Sequence, residues 1–390
     1  MMRRLSLQVT GSLLLILGMF SALPGAELPL LIKAVQQIGI EAQGNAEASR
    51  AWKQLAARPV DDLPEILAGF DDANELAANY LRGAVEVIAD RELKRKGTLP
   101  IDKLEAFLKD SDHNPRARRL AFELIARVDP QHAGRLIPGM LNDPSVELRR
   151  DAVEQVLSDA ATQLVNDRKE EAKKSYAIAL RAARDDDQVQ AAKKKLEELG
   201  EKVDLPRHFG FLMEWRLIAP FDNSGNKGFD VGYPPEKEIN FDAEYEGKEG
   251  MKVRWTTHAT DNEYGIVDLA KALMPYKGAV TYAATEFVSD REQAVDFRMG
   301  TPNSWKVWLN GELLFGREEY HRGMSLDQYR MRGTLKAGNN VILIKLCQNE
   351  QTEEWAQRWQ FQIRVCDKTG TAILSANRAT RAESATESSD

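Results

Sequence analysis

Leu335-Lys336-Ala337-Gly338-Asn339-Asn340-Val341-Ile342-Leu343-Ile344-Lys345 is a tight turn running into an unbroken apolar stretch. Four apolar residues in a row after a Gly-Asn turn predict a strand at the centre of a sheet. Downstream, Trp359-Gln360-Phe361-Gln362-Ile363-Arg364-Val365 alternates strictly, the pattern of a strand with one face in a core and one in water. Upstream, Asn310-Gly311 separates Val307-Trp308-Leu309 from Leu313-Leu314-Phe315, a strong hairpin signal. Working outward, strands are expected at 211–218, 252–256, 279–288, 294–299, 305–315, 329–335, 340–347 and 358–366. Many short strands with aromatic alternation predict an antiparallel β-sandwich over 211–375.

Ahead of Asp204 the texture is helical, from about residue 30 to 200. Leu76, Tyr80, Leu81, Ala84, Val85 and Ile88 recur at helical spacing, as do Leu120, Leu124, Ile125 and Val128. Asn114-Pro115 followed by Arg118-Arg119-Leu120-Ala121 returns as Asp143-Pro144 followed by Arg149-Arg150-Asp151-Ala152, a period of roughly 30 residues. Pro115 suits a first helical turn, because its missing N–H would be unpaired there anyway. Between the copies, Leu136-Ile137-Pro138-Gly139-Met140-Leu141 supplies the paired helix. A further helix over 169–180 carries Ala172, Tyr176 and Ala179, and a last one over 187–200 ends in a Gly suited to a left-handed cap. Residues 201–210 read as a linker.

The repeat over 102–159 resembles HEAT repeats, and 169–180 looks like the second helix of a tetratricopeptide repeat. These resemblances imply an N-terminal α-solenoid over 30–200 with a tetratricopeptide-like cap. The three β motifs, with Trp305-Lys306-Val307-Trp308-Leu309 and Tyr264-Gly265-Ile266-Val267-Asp268-Leu269, resemble galactose-binding-like jelly rolls across 211–374. The whole is similar to exported bacterial HEAT-repeat domain-containing proteins that end in such a module. That resemblance implies carbohydrate binding or an accessory role, and the fold alone does not choose between them.

The N-terminus supports export. Arg3 and Arg4 precede the apolar core Gly11-Ser12-Leu13-Leu14-Leu15-Ile16-Leu17-Gly18-Met19-Phe20, and Leu23-Pro24-Gly25-Ala26 follows. That order is a signal peptide over 1–26, giving a periplasmic or secreted chain. Its apolar stretch is shorter than the ~20 residues that span a bilayer, so no transmembrane segment is expected after its removal. Residues 376–390 read as a disordered tail. The formal charge of −7, with Lys and Arg interspersed among acids, excludes the concentrated basic face that nucleic acid requires. Cys347 and Cys366 could pair in an oxidising compartment or stay as two buried thiols.

Two loops carry candidate site residues. Gly316-Arg317-Glu318-Glu319-Tyr320-His321-Arg322-Gly323 follows a tight hairpin, and a sugar needs an aromatic face plus bidentate polar groups. Glu318, Tyr320, His321 and Arg322 are therefore the expected ligand contacts. Trp355 joins them because it lies just outside its strand, whereas Trp255, Trp305, Trp308 and Trp359 suit a core. Asp222-Asn223-Ser224-Gly225-Asn226-Lys227-Gly228-Phe229-Asp230 reads first as a plain Asx- and Gly-rich turn. Asp222, Asn226 and Asp230 could alternatively hold a structural calcium ion, the one cofactor the sequence suggests, although the spacing departs from an EF-hand.

The five histidines are scattered away from metal-ligand spacing, and no nucleophile elbow, phosphate loop or dinucleotide fingerprint occurs. The expectation is an exported, non-catalytic binding or scaffold protein with a protein or glycan partner. A lectin acting through the sandwich loops is the alternative, and a glycan-active hydrolase comes third.

Overall fold

Polar residues set just ahead of apolar runs start several of the helices. Asn74 accepts a hydrogen bond from the Ala77 amide and opens a long helix, Asn114 does the same from Arg116, and Asp129 from His132. In the computed structural model, which describes residues 27–41 and 43–378, the chain is mixed α and β and divides into Met1–Leu148 and Arg149–Asp390. The expected signal peptide and residues 379–390 of the expected tail lie outside the described residues.

The first unit is helical: α1 Leu28–Gln36, α2 Asn45–Ala56, α3 Leu63–Ala68, α4 Glu75–Lys96, α5 Ile101–Lys109, α6 Pro115–Val128 and α7 Pro130–Leu136. The division falls inside α8, Val146–Val165, whereas the sequence changes texture only near Asp204. A buried ion pair joins the two similar stretches of sequence. Arg118 is buried and binds both oxygens of Asp143 at 2.7 and 2.6 Å, while its Nε donates to the Leu108 carbonyl at 2.8 Å. The arginine of one copy thus holds the acid that precedes the next long helix, whose first turn Ser145 caps by accepting from the Leu148 amide. The helix-starting asparagines also reach backwards, Asn74 to the Ile38 carbonyl and Asn114 to that of Phe70.

Two details differ from the sequence reading. Leu76 is exposed on α4, because the small Ala77 and Ala78 occupy the buried positions there. The paired helix expected at 136–141 is the short α7 continued by a 3-10 turn, Ile137–Met140, where Pro138 removes a helical donor.

In the second unit α9 Lys169–Ala182 buries Ala172, Tyr176 and Ala179, and α10 Asp186–Glu198 is capped by Gly200 at φ 85°. After α11 Leu205–Phe209 come β1 Glu214–Asp222, α12 Pro234–Lys237, β2 Glu244–Glu246, β3 Lys252–Arg254, β4 Thr256–Ala259, β5 Val267–Asp268 and α13 Leu269–Ala272. They are followed by β6 Ala279–Ser289, β7 Gln293–Gly300, β8 Ser304–Leu309, β9 Glu312–Arg317, β10 Tyr329–Leu335, β11 Gly338–Gln348 and β12 Gln360–Cys366. A six-stranded antiparallel sheet has the order β4-β1-β6-β11-β8-β9, and a four-stranded one β10-β7-β12-β5.

The two sheets enclose one core. Phe287, Trp305, Val307, Ile342, Ile344 and Leu346 face Phe297, Met299, Met331, Phe361 and Ile363. The opposite face of the larger sheet is buried too: Tyr282, Trp308, Leu343 and Cys347 lie under Phe229, Tyr233, Phe241 and Tyr245. Double burial explains the unbroken apolar run of β11. It also buries Lys345 completely, and its ammonium binds Glu236 at 2.8 Å and the Val231 and Phe229 carbonyls at 2.7 and 3.1 Å. The turns at Asn310-Gly311 and 336–340 are tied together by Asn310 Nδ2 donating to Asn340 Oδ1 at 2.9 Å. Cys347 and Cys366 are both buried, unbonded thiols on different sheets, and burial pushes Cys347 up to about 12.

The alternation of β12 has another meaning than a wet face. Gln362 and Arg364 are buried. Arg364 binds Asp327 at 2.6 and 2.7 Å and the Phe209 and Gly370 carbonyls at 3.1 Å, so its guanidinium meets polar partners rather than water. Residues 376–378, read as tail, form a helical turn, and Arg378 donates to the Phe211 carbonyl at 2.6 Å.

Two stability measurements test these networks. Asp143→Ala leaves the buried Arg118 charge without its bidentate partner and should cost about 3–5 kcal/mol in urea denaturation. The exposed pair Arg50–Glu47 should lose under about 1 kcal/mol when Arg50 is replaced by Ala. His208 is the second case. Burial, with Arg184 and Arg364 nearby, lowers its pKa from 6.5 to about 4. A base held neutral by the fold contributes stability that is complete above its unfolded pKa and is lost as pH falls from 6.5 through about 4. Between roughly pH 7 and pH 4 the wild type should lose on the order of 3 kcal/mol more than His208→Gln. Tryptophan fluorescence reads this well, since Trp52 is the one tryptophan of the seven outside the second unit.

Candidate functional site

The register of the larger sheet brings several connections to one end. Gln348 of β11 is opposite Ala279 of β6, which is itself opposite Asp222 of β1, and Cys347 is opposite Ser304 of β8. The segments after Asp222, before Ala279, before Ser304, after Arg317 and after Gln348 therefore emerge together. Buried amides brace them. Asn303 donates to Gln348 Oε1 at 3.2 Å and the Arg358 carbonyl at 3.1 Å, and it accepts from the Gln360 amide. The Ala356 carbonyl accepts from Gln348 at 3.1 Å and from Lys277 at 3.0 Å.

On this floor stands the 3-10 turn Glu354–Ala356, which buries Ala356 and leaves Trp355 60% exposed. His321 meets the indole edge to face, with ring centres 5.1 Å apart and planes at 89°. Its backbone is in the left-handed region at φ 55°, uncommon for a residue with a Cβ. The next amide, of Arg322, anchors the loop by donating to the Pro302 carbonyl at 3.2 Å. Asn349 fixes the imidazole. Its Nδ2 donates to Gln351 at 2.7 Å, so its Oδ1 accepts from His321 Nε2 at 2.7 Å. Pro302, His321, Arg322, Gly323, Glu354, Trp355 and Arg358 line a cleft of about 580 Å³.

Three of the five residues expected to contact a ligand thus come together, namely His321, Arg322 and Trp355. Glu318 is exposed outside the lining. Tyr320 points the other way, into the outer apolar layer, where its hydroxyl accepts from Asn223 at 3.2 Å and burial raises it to about 12. Tyr320 and His321 are neighbours in one loop, yet only His321 lines the cleft. Glu354 and Arg358 were missed, and their only sequence signal is nearness to Trp355. Trp255, Trp305, Trp308 and Trp359 are buried, as their positions on strands implied.

The residues of the calcium alternative have neighbours within the protein. Asp222 Oδ1 accepts from the Ser224 amide and hydroxyl at 3.2 and 2.6 Å, Asn226 adopts φ 63°, and Asp230 lies 3.7 Å from Lys306. No group of three or more His, Cys, Asp or Glu side chains among the described residues is arranged to hold a metal.

The sequence matches no family model and no curated protein. Among solved structures, a β-glucosidase from Kluyveromyces marxianus is similar at 10% identity and TM-score 0.25, over 73% of this chain and 35% of that one. The same enzyme in complex with glucose gives 10% identity and TM-score 0.25, over 74% and 36%. An α-xylosidase from Xanthomonas citri gives 11% and 0.19, over 41% and 17%. This chain spans about a third of the β-glucosidase it matches. Likeness at these levels says nothing of ligand or activity.

Removing the Tyr320 hydroxyl separates the outer layer from the cleft. Tyr320→Phe should cost about 1 kcal/mol of stability in urea denaturation, because Asn223 keeps its bond to the Gln348 carbonyl at 3.0 Å. The fluorescence of native Trp355 should be unchanged, as measured by difference against Trp355→Phe.

Proposed function

We propose that this chain is an exported, non-catalytic binding protein in which a HEAT-like α-solenoid precedes a galactose-binding-like jelly roll, and that the jelly roll holds carbohydrate beside Trp355. The observation that carries this reading is an indole left 60% exposed in a cleft and braced edge-on by His321. The C–H faces of a pyranose stack on such a ring, while flanking guanidinium, imidazole and carboxylate groups bind its hydroxyls. Glu354 is the one carboxylate on the lining, where glycoside hydrolysis ordinarily uses a pair. Binding without turnover is the simpler chemistry for that set.

The Arg118–Asp143 link between repeat copies supports the solenoid reading, and the two antiparallel sheets around one core support the jelly roll. Export rests on the order of residues 3–26, which lie outside the described residues.

A glycan array probed with the full mature chain tests the assignment. Wild type and Tyr320→Phe should bind the same glycans, while Trp355→Ala should weaken them at least about tenfold. Silence of a folded wild-type chain across a broad array would overturn the carbohydrate reading and turn attention to protein partners.

A further inference from the structure

We infer that the cleft selects acidic saccharides, holding the carboxylate of a uronic acid residue with Arg322 and Arg358 while the sugar ring stacks on Trp355. This inference rests on the carbohydrate reading above and narrows it to one ligand class.

The charged lining of the cleft is Arg322, Arg358 and Glu354, an excess of cations in a chain whose formal charge is −7. At physiological ionic strength the Debye length is about 8 Å, so a bound anion responds to these lining groups more than to the distant acidic surface. Several other arginines of this unit are engaged by acids of the protein itself. Arg364 and Arg298 bind Asp327, and Arg150 binds Asp187. The two cleft arginines differ. Arg322 is 67% exposed, and its contact with Glu319 is long, 3.5 Å from Nε. Arg358 is exposed, and only its backbone carbonyl is engaged, by Asn303 and Gln348.

The guanidinium forks can therefore turn to a ligand without first breaking a buried pair. A guanidinium presents two parallel N–H donors that match a carboxylate. Anchoring is also favourable, because the backbone at both arginines is fixed, Arg322 through the Pro302 carbonyl and Arg358 through the buried amides. Glu354 is left to accept hydroxyl protons, and it disfavours a ligand carrying negative charge on every face. A monoanionic sugar unit fits that pattern better than a densely sulfated one.

The test uses titration calorimetry of the full mature chain with a short oligogalacturonate and with its methyl ester, which keeps the shape and removes the charge. Wild type should bind the acid at least about tenfold tighter than the ester, with an affinity that falls as salt rises. The Arg322→Gln/Arg358→Gln double variant should bind the two forms equally. Arg254→Gln, an exposed arginine on β3, should behave as wild type. Trp355→Ala should lose both forms. Equal binding of acid and ester by the wild type overturns the selectivity and leaves the carbohydrate reading standing. Binding confined to neutral glycans on the array does the same. Loss of acid preference in Arg254→Gln would show a diffuse charge effect and equally overturn the two-arginine assignment.

Discussion

The pairing of β6 with β11 sets the terms for the rest of the second unit. Their antiparallel register runs unbroken from Gly338 opposite Ser289 to Gln348 opposite Ala279, and both faces of that ladder are buried. Ile342, Ile344 and Leu346 point to the inner core, so Leu343, Lys345 and Cys347 must point outward. A sheet with an apolar outer face requires a cover, which the segment 223–255 supplies with Phe229, Tyr233, Phe241 and Tyr245. The cover is not merely greasy. A buried ammonium needs replacement of its water shell, and Glu236 with the carbonyls of Phe229 and Val231 provides it. Burial lowers the Lys345 pKa and Glu236 counters that tendency, so the pair fixes where the cover sits. Tyr282, whose hydroxyl also binds Glu236, completes the cluster.

Alignment of the strand ends follows from the same ladder. Because β6, β11 and β8 end in register, their connections are forced to share one rim, and polar backbone that cannot reach water must be met by side chains. Asn303 and Gln348 do this while almost wholly buried. Their amides bind carbonyls of the 349–359 segment, so the position of Trp355 is inherited from the sheet. Residues on a rigid frame are better placed for recognition than residues on a free loop.

The strand signals were local and therefore legible. Asn310-Gly311 makes its hairpin with φ 53° and 84°, and the apolar run at 341–344 lies in a central strand. Alternation was less faithful. In β12 it separates two kinds of burial, since Ile363 enters the core while Arg364 reaches Asp327 across 37 positions of sequence. Periodicity reports polarity and cannot tell water from a buried carboxylate. The same blindness explains the grouping of residues 149–200 with the β region. Tyr264 bonds to Asp186 and Gln190, and Arg184 to Thr371, contacts between residues too distant in sequence to leave a pattern. Within the cleft, His321, Arg322 and Trp355 were visible one at a time. Their meeting depends on two connections brought together by the sheet order, which no spacing within either loop encodes.

Exposure of Trp355 is the feature that hydrophobic burial alone would not produce. Covering a large aromatic side chain is worth about 1.5–3 kcal/mol. An outer apolar layer able to receive one lies nearby, and it is filled instead by Tyr320 from the adjoining loop. Buried hydrogen bonds hold the 354–356 turn so that its middle residue faces out, and His321 adopts a left-handed backbone conformation to brace it. Single exposed apolar residues are common on protein surfaces and need no explanation. An exposed indole held in place by a buried polar floor, in a cleft shared with two exposed arginines, is a different arrangement. Because the turn and the imidazole are already fixed, a ligand stacking on this indole, as proposed above, would pay little to order them.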